Sequence, residues 1–283
     1  MKINKITSKS EGGEAIYVTD IHGDKVFVEE LLRNVKERKI KNVIIGGDIV
    51  ASVDVAVKIH EKLNGTGAKR EAYIKEFKAA HNFLIKKLLL EIGLFKSENE
   101  ADFYLLQGND DWFDQRILNI AERNEIIKNL HMKVHKLGNF FISGCSFVPF
   151  TPFDTNFEID DADLYKKLLD LSELSDPKKT IYVIHSPPFG TALDVGGMLA
   201  NLGSKSVRRF IEKYQPPLTL HGHIHESVSI TGKWQTTIGD TIAINPGRNN
   251  GKFSSVIINM KEKKANESAT KEKFDFEYLD YKL

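Results

Sequence analysis

The feature that most constrains this chain is a strand–helix–strand pattern in which each apolar run stops on a carboxylate. Ala15 to Asp20 is a short β-rich run closing on "VTD". Lys25 to Lys39 then carries Val28, Leu31, Leu32 and Val35 at helical spacing. Val43-Ile44-Ile45 follows and leads into Gly46-Gly47-Asp48. A helical crossover between two strands implies parallel pairing. Ligands of parallel sheets gather at the carboxyl ends of the strands, where Asp20 and Asp48 both stand. The same grammar recurs downstream. Phe103 to Leu106 runs into Gly108-Asn109-Asp110-Asp111, Thr180 to Ile184 ends at His185, and Leu218 to Leu220 precedes His221-Gly222-His223-Ile224-His225.

The remaining segments fill in an α/β chain. Residues 53 to 92 read mostly as helix, broken near Asn64 to Gly67, with Phe77, His81, Leu84, Ile85, Leu88 and Leu89 on one apolar face. Val134 to Phe147 reads as strand, with a hairpin turn at Gly138-Asn139. Pro149 to Asp163 is an irregular acidic stretch, read as a solvated connector. Leu164 to Leu174 and Ser204 to Tyr214 are helical; the second turns Val207, Phe210 and Ile211 inward and stops at Pro216-Pro217. Thr241 to Ile244, Ser254 to Asn259 and Phe274 to Tyr281 are strands, the last two joined by an exposed polar loop from Lys261 to Lys273. Parallel units first and strands last suggest two sheets packed face to face with helices outside. We expect one domain over 1–283, with a helical insertion at about 53–92.

Composition narrows the partners. With 40 basic and 39 acidic residues, net charge is +1, which gives no strong nucleic-acid signal. No run reaches the ~20 apolar residues of a membrane helix, and the N-terminus lacks a signal-peptide core. The single cysteine, Cys145, sits in an apolar run and is expected to be a buried small hydrophobe. A soluble cytoplasmic protein fits these features.

Singly, an Asp after a strand is a helix cap or turn former, and a lone His is a satisfied core residue. Their co-occurrence on five strand ends, expected to converge on one sheet edge, asks for metal chemistry. Two divalent ions about 3.5–4 Å apart need a bridging carboxylate and ligands on both sides. Imidazole, carboxylate and amide oxygen suit Mn, Fe, Zn or Ni. In extended backbone, residues two apart point the same way, so His223 and His225 can reach one centre, as can Asp20 and His22.

The ordered set D-x-H, G-D, G-N-x-D, H, G-H-x-H resembles the calcineurin-like metallophosphoesterase superfamily, from Ala15 to about Gly247. "IHSPPFGTALD" and "GSKSVRRFIEKYQPPLTLHGHIHES" are similar to its branch of small stand-alone phosphoesterases. The resemblance implies a four-layer α/β/β/α sandwich of two mixed sheets flanked by helices, and two divalent metal ions as cofactors. It implies Asp20, His22 and His225 on one ion, Asn109, His185 and His223 on the other, and Asp48 as the bridge. A metal-bridging hydroxide would attack phosphorus. The substrate would be a small phosphoester, with nucleotides among the candidates.

One position departs from the family pattern. The residue after the motif Asn is usually a histidine that contacts the scissile phosphate and helps the leaving group. Here it is Asp110, while Asp111 matches the acid that orients that histidine. Beside divalent ions Asp110 should be ionised, unable to donate a proton and repulsive to a dianionic monoester. A phosphodiesterase is therefore expected, with Asp110 at the catalytic position. The alternative is a scaffold or interaction protein that retains the metal-binding fold. A metallo-β-lactamase-type hydrolase is set aside, because "HGHIHE" falls late and lacks the following Asp-His. Arg248 could clamp a phosphate or be a surface residue. His221 is expected to be buried and structural; His60, His81, His131 and His135 are read as structural. Trp112 and Phe113 are expected in packing roles.

Overall fold

The computed structural model describes residues 13–50, 68–248, 251–260 and 274–283. The expected break at Asn64 to Gly67, His60 and the loop from Lys261 to Lys273 lie outside the described residues.

Strand β1 (Glu14–Val18), helix α1 (Lys25–Arg38), β2 (Asn42–Ile45), α2 (Ala68–Glu98), β3 (Asp102–Leu105), α3 (Gln115–Arg123) and β4 (Lys128–Asn129) make the first half. Then come β5 (Val134–Leu137), β6 (Phe140–Cys145), β7 (Val148–Pro149), β8 (Glu158–Ile159), α4 (Asp161–Ser172), β9 (Thr180–Ile184), α5 (Lys205–Tyr214) and β10 (Leu218–Leu220). The chain closes with α6 (Ser227–Thr231), β11 (Gln235–Ile238), β12 (Thr241–Ile244), β13 (Lys252–Met260) and β14 (Phe274–Lys282).

Twelve of the described strands form two six-stranded sheets, ordered β14-β13-β1-β2-β3-β4 and β11-β12-β10-β9-β6-β5, and β7 and β8 pair in a separate two-stranded sheet. Pairing is parallel through β1-β2-β3 and through β6-β9-β10-β12, as helical crossovers require; the outer strands β13, β14, β11 and β5 are antiparallel. Both sheets are thus mixed.

Side-chain alternation along the strands builds the layers. Ile16, Val18, Val43, Ile45, Phe103 and Leu105 face α1, α2 and α3, meeting Phe27, Leu31, Ile85 and Leu118. The intervening Tyr17, Ile44 and Tyr104 point the other way and pack on Ile142, Val183, Leu218 and Ile244 of the second sheet. Beyond it, Cys145, Tyr182 and Ile184 meet Leu164 and Leu168 of α4 and Val207 and Phe210 of α5. The result is the expected α/β/β/α sandwich. Cys145 is fully buried, and burial pushes its thiol up to about 12, which leaves it a packing residue.

Local signals set the boundaries. Asp24 caps α1, accepting from Phe27 N at 3.1 Å, and Ser204 caps α5, accepting from Val207 N at 3.0 Å. Gly138 takes the positive φ of 56° that suits the two-residue turn between β5 and β6. On α2 the expected apolar face holds for Phe77, His81, Ile85, Leu88 and Leu89, but Leu84 is 41% exposed. It sits one step off the stripe, so apolarity alone misplaced it.

One buried histidine, His81, and one partly buried histidine, His131, are expected to make the fold acid-sensitive. His81 Nδ1 accepts from Trp112 N at 3.1 Å, and His131 Nδ1 accepts from Ser146 N at 3.2 Å. Burial lowers both rings to about 4. The unfolded chain therefore takes up protons near pH 6.5 while the folded chain does not. Stability present above that pH is lost as pH falls toward 4, by up to roughly 3 kcal/mol per ring. Urea midpoints should drop across this window; a flat profile from pH 7 to 4 would contradict the assignment.

Candidate metal centre

The polar tips come from two sheets rather than from one edge. Asp20 and His22 follow β1, Asp48 follows β2 and Asn109 follows β3, all in the first sheet; His185 follows β9, and His223 and His225 follow β10, in the second. Backbone bonds lock the tips within each sheet: Asp20 N to Gly47 O at 2.9 Å, His22 N to Asp48 O at 2.9 Å, and Gly222 N to His185 O at 3.0 Å. Side chains lock them between sheets. His223 N donates to Asp20 Oδ1 at 3.0 Å. His185 Nδ1 meets Gly46 O at 2.9 Å, which leaves its Nε2 3.1 Å from Asn109 Oδ1 and 3.2 Å from Asp48 Oδ2.

The D-x-H and H-x-H segments are not extended, contrary to the sequence expectation. Asp20, His22, Asp48 and His223 have φ of 54°, 50°, 50° and 65°. Such left-handed conformations are costly for residues with a Cβ, and surrounding structure must hold them. Turns rather than the strand pleat bring these side chains together.

They meet in two groups. Asp48, His185 and His223 each offer a ligand atom within 4.8 Å of the others, and so do Asp20, His22 and Asp48. Asp48 belongs to both. The His22 and His225 rings lie 5.3 Å apart, and His185 and His223 5.4 Å apart. All seven expected residues are thus gathered at one place. His22, Asp48, Asn109, Asp110, His223 and His225 line a cavity of about 370 Å³.

The electrostatics favour a cation. Asp20 and Asp48 are buried, and Asp20 Oδ2 has no hydrogen-bond partner. A buried carboxylate oxygen without a donor is costly unless a positive charge compensates it. Against the cost of its own burial, Asp48 lifts His185 to about 10, and in return His185 holds Asp48 below the usual carboxylate range. Burial and then the His185 charge lower His223 to about 4. Two carboxylates, imidazoles and an amide oxygen form a donor set that divalent transition metals accept. These residues could hold such an ion.

Glycines make the close approach possible. A Cβ on Gly108 would overlap the Asp48 carboxyl and backbone N, and one on Gly47 would sit 2.6 Å from His185 Nδ1.

Asp110 and Asp111 separate in role. Asp110 lines the cavity, and its backbone N donates to Asp48 Oδ1 at 2.9 Å. Burial, then Asp48 and Asp111, hold its carboxyl well above the usual range. Asp111 does not orient a neighbouring side chain, as its match to the family acid implied. Its carboxyl accepts from Ile49 N at 2.8 Å, Val50 N at 3.0 Å and Gly108 N at 2.9 Å, clasping the loops after β2 and β3.

The other candidates resolve as structure. Arg248 neither clamps the cavity nor lies on the surface: Nη1 donates to Asp20 O at 2.7 Å and to Ile21 O, and Nη2 to Asp24 Oδ2 at 3.0 Å. It braces the β1 tip from behind. His221 is buried as expected, with Nδ1 near Ile184 O and Ser186 O and Nε2 2.8 Å from Thr219 Oγ1. His135 Nε2 lies 2.8 Å from Asn129 O. Phe113 is core, and Trp112 packs edge-on against Phe77.

Sequence reasoning missed the 149–163 connector. Asn109 Nδ2 donates to Thr155 Oγ1 at 2.9 Å, Asn156 N donates to Asn109 O at 3.0 Å, and Phe150, Thr151, Pro152 and Phe153 form a cavity wall. Phe150 and Phe153, close together at the start of this acidic stretch, were the available signal.

A family model described as calcineurin-like phosphoesterase matches residues 15–227. The chain belongs to the calcineurin-like phosphoesterase family. An uncharacterised protein of Methanocaldococcus jannaschii is 34% identical to this chain over 131 residues, covering 45% of this chain and 57% of that protein. The match thus spans little more than half the length of that relative. One solved structure superposes with a TM-score of 0.67 at 19% identity, covering 86% of this chain and 93% of its own. A dimetal phosphatase from Danio rerio gives 0.56 at 9% identity, covering 89% and 93%. A protein from Thermus thermophilus gives 0.52 at 15% identity, covering 86% and 93%. At these identities the likeness is one of fold. Among the described residues no helix is long and apolar enough to cross a membrane.

Proposed function

We propose that this phosphoesterase is a binuclear metal-dependent phosphodiesterase. Asp20, His22 and His225 would hold one ion, Asn109, His185 and His223 the other, and Asp48 both. The observation that carries the reading is the membership of Asp48 in both ligand-capable groups. Divalent ions there would supply Lewis acidity and an ionised water as nucleophile. Mn, Fe, Zn and Ni all suit the donors. The chain's own residues do the positioning. Asp20 Oδ1 fixes the His223 backbone, and the Gly46 carbonyl orients His185 so that Nε2 faces the centre. The unit would be one domain with a helical insertion at about 53–92, working in a reducing cytoplasmic setting that suits one buried Cys145.

Asp110 would select diesters. With ions bound, their charge draws its carboxyl toward ionisation, and the anion then opposes a dianionic monoester more than a monoanionic diester. Asp110→His should raise the monoester/diester ratio of kcat/KM roughly tenfold, about 1.4 kcal/mol. The pair to compare is p-nitrophenyl phosphate and bis-p-nitrophenyl phosphate on Mn-loaded protein. An unchanged or lower ratio would remove Asp110 as the selector.

A further inference from the structure

The cavity has two chemically distinct walls. One carries the candidate metal residues. The other is apolar and includes Phe150, Pro152, Phe153 and Leu202, and Ile224, between His223 and His225, adds to the apolar lining. Phe150, Phe153 and Leu202 are 70%, 56% and 48% exposed. Isolated exposed apolar residues need no explanation, but a cluster rimming a polar cavity marks a binding surface.

The apolar wall is also held in place. The Glu158 carboxylate accepts from Thr151 N at 3.0 Å, Thr151 Oγ1 at 2.5 Å, Thr155 N at 2.8 Å and Thr155 Oγ1 at 2.5 Å. Thr155 Oγ1 in turn accepts from Asn109 Nδ2. The loop that presents both phenylalanines is therefore tied to the metal-bearing strand tip. Pre-organisation of this kind keeps apolar side chains from folding back into the core and lowers the ordering cost of binding.

The charge of the lining decides what the wall takes. Among the described residues, no lysine or arginine lines the cavity, while Asp110 and Glu226 do. Arg248 is committed behind the β1 tip. Among the described lining residues, a second anionic group on the substrate would find no lysine or arginine. A nonpolar substituent would find a ready surface.

We propose that Phe150, Pro152 and Phe153, with Leu202 and Ile224, form a subsite for an aryl-type nonpolar group on the phosphodiester. This deepens the phosphodiesterase reading and rests on it. The substrate class is then a monoanionic diester with at least one apolar ester group, rather than one carrying further phosphates.

Binding separates this proposal from the hydrolytic reading. Titration calorimetry on Mn-loaded protein would compare diphenyl phosphate with dimethyl phosphate, two monoanions that differ in their ester groups. Wild-type protein should bind diphenyl phosphate at least roughly tenfold tighter. Phe150→Ala and Phe153→Ala should each erode that preference several-fold, leaving dimethyl phosphate affinity and metal content unchanged. Both side chains are exposed, so a thermal melt should show intact folding. Equal binding of the two probes, binding of neither, or a preference untouched by both substitutions would overturn the subsite. A Phe-dependent preference without turnover of bis-p-nitrophenyl phosphate would keep the subsite and remove the hydrolase.

Discussion

Asp48→Asn should lower kcat/KM for bis-p-nitrophenyl phosphate by at least about 10³-fold while the protein stays folded. Asp48 offers an oxygen to both ligand-capable groups, accepts from Asp110 N and pairs with His185. No other residue among those described occupies both groups. Asparagine keeps the shape and tolerates the φ of 50° at this position, but loses the negative charge that two cations would share. Asp48→Ala should lose as much activity and also about 1 kcal/mol or more of stability, because alanine is strained at that φ. Steady-state kinetics with thermal melts checks both variants. An Asn variant retaining a tenth of wild-type activity would mean that Asp48 bridges nothing.

Gly108→Ala should be nearly as damaging by a different route. The added Cβ would collide with the Asp48 carboxyl and backbone N, and the Asp48 tip is tied to its neighbours by His22 N and Asp110 N. Either the β2 or the β3 tip must move, separating Asn109 from His185. Overpacking of this kind costs about 1–3 kcal/mol, and the displaced site should lose activity by about two orders of magnitude. Gly190→Ala is the control. Its φ is 72°, yet nothing lies within 4 Å of the added atom, so only the backbone term of about 1 kcal/mol applies. Urea unfolding and kinetics on the pair should rank Gly108→Ala well below Gly190→Ala. Equal losses would mean that close approach at Gly108 does not set the site.

The layers and the site were legible in the chain to different degrees. Runs such as Val43-Ile44-Ile45 and Ile181 to Ile184 are near-continuously hydrophobic because central parallel strands are buried on both faces, and that signal is local. The seven candidate ligands could be picked out because they cluster after five such runs. Their conformation could not. Nothing local to "DIHGD" says that Asp20 and His22 turn left-handed; Gly47 O, Asp48 O and Arg248 impose that from elsewhere in the fold. Arg248 reads as a free cation in sequence because its acceptors lie more than 220 positions away. The resemblance implies that Asp111 orients its neighbour, and nothing local in the sequence reveals the three backbone donors it accepts from. The short strands β4 and β11 escaped notice: Lys128–Asn129 has two residues, and Gln235–Ile238 is polar and edge-exposed.

The central claim is that one cluster of side chains holds two catalytic cations. Metal content by mass spectrometry on chelator-stripped, Mn-reconstituted protein tests it most directly when followed in parallel with turnover of bis-p-nitrophenyl phosphate. The account predicts two ions per chain, loss of turnover on stripping, recovery as the second ion binds, and fewer than two ions in Asp48→Asn. Undiminished turnover in stripped protein, or full activity at one ion per chain, would contradict it.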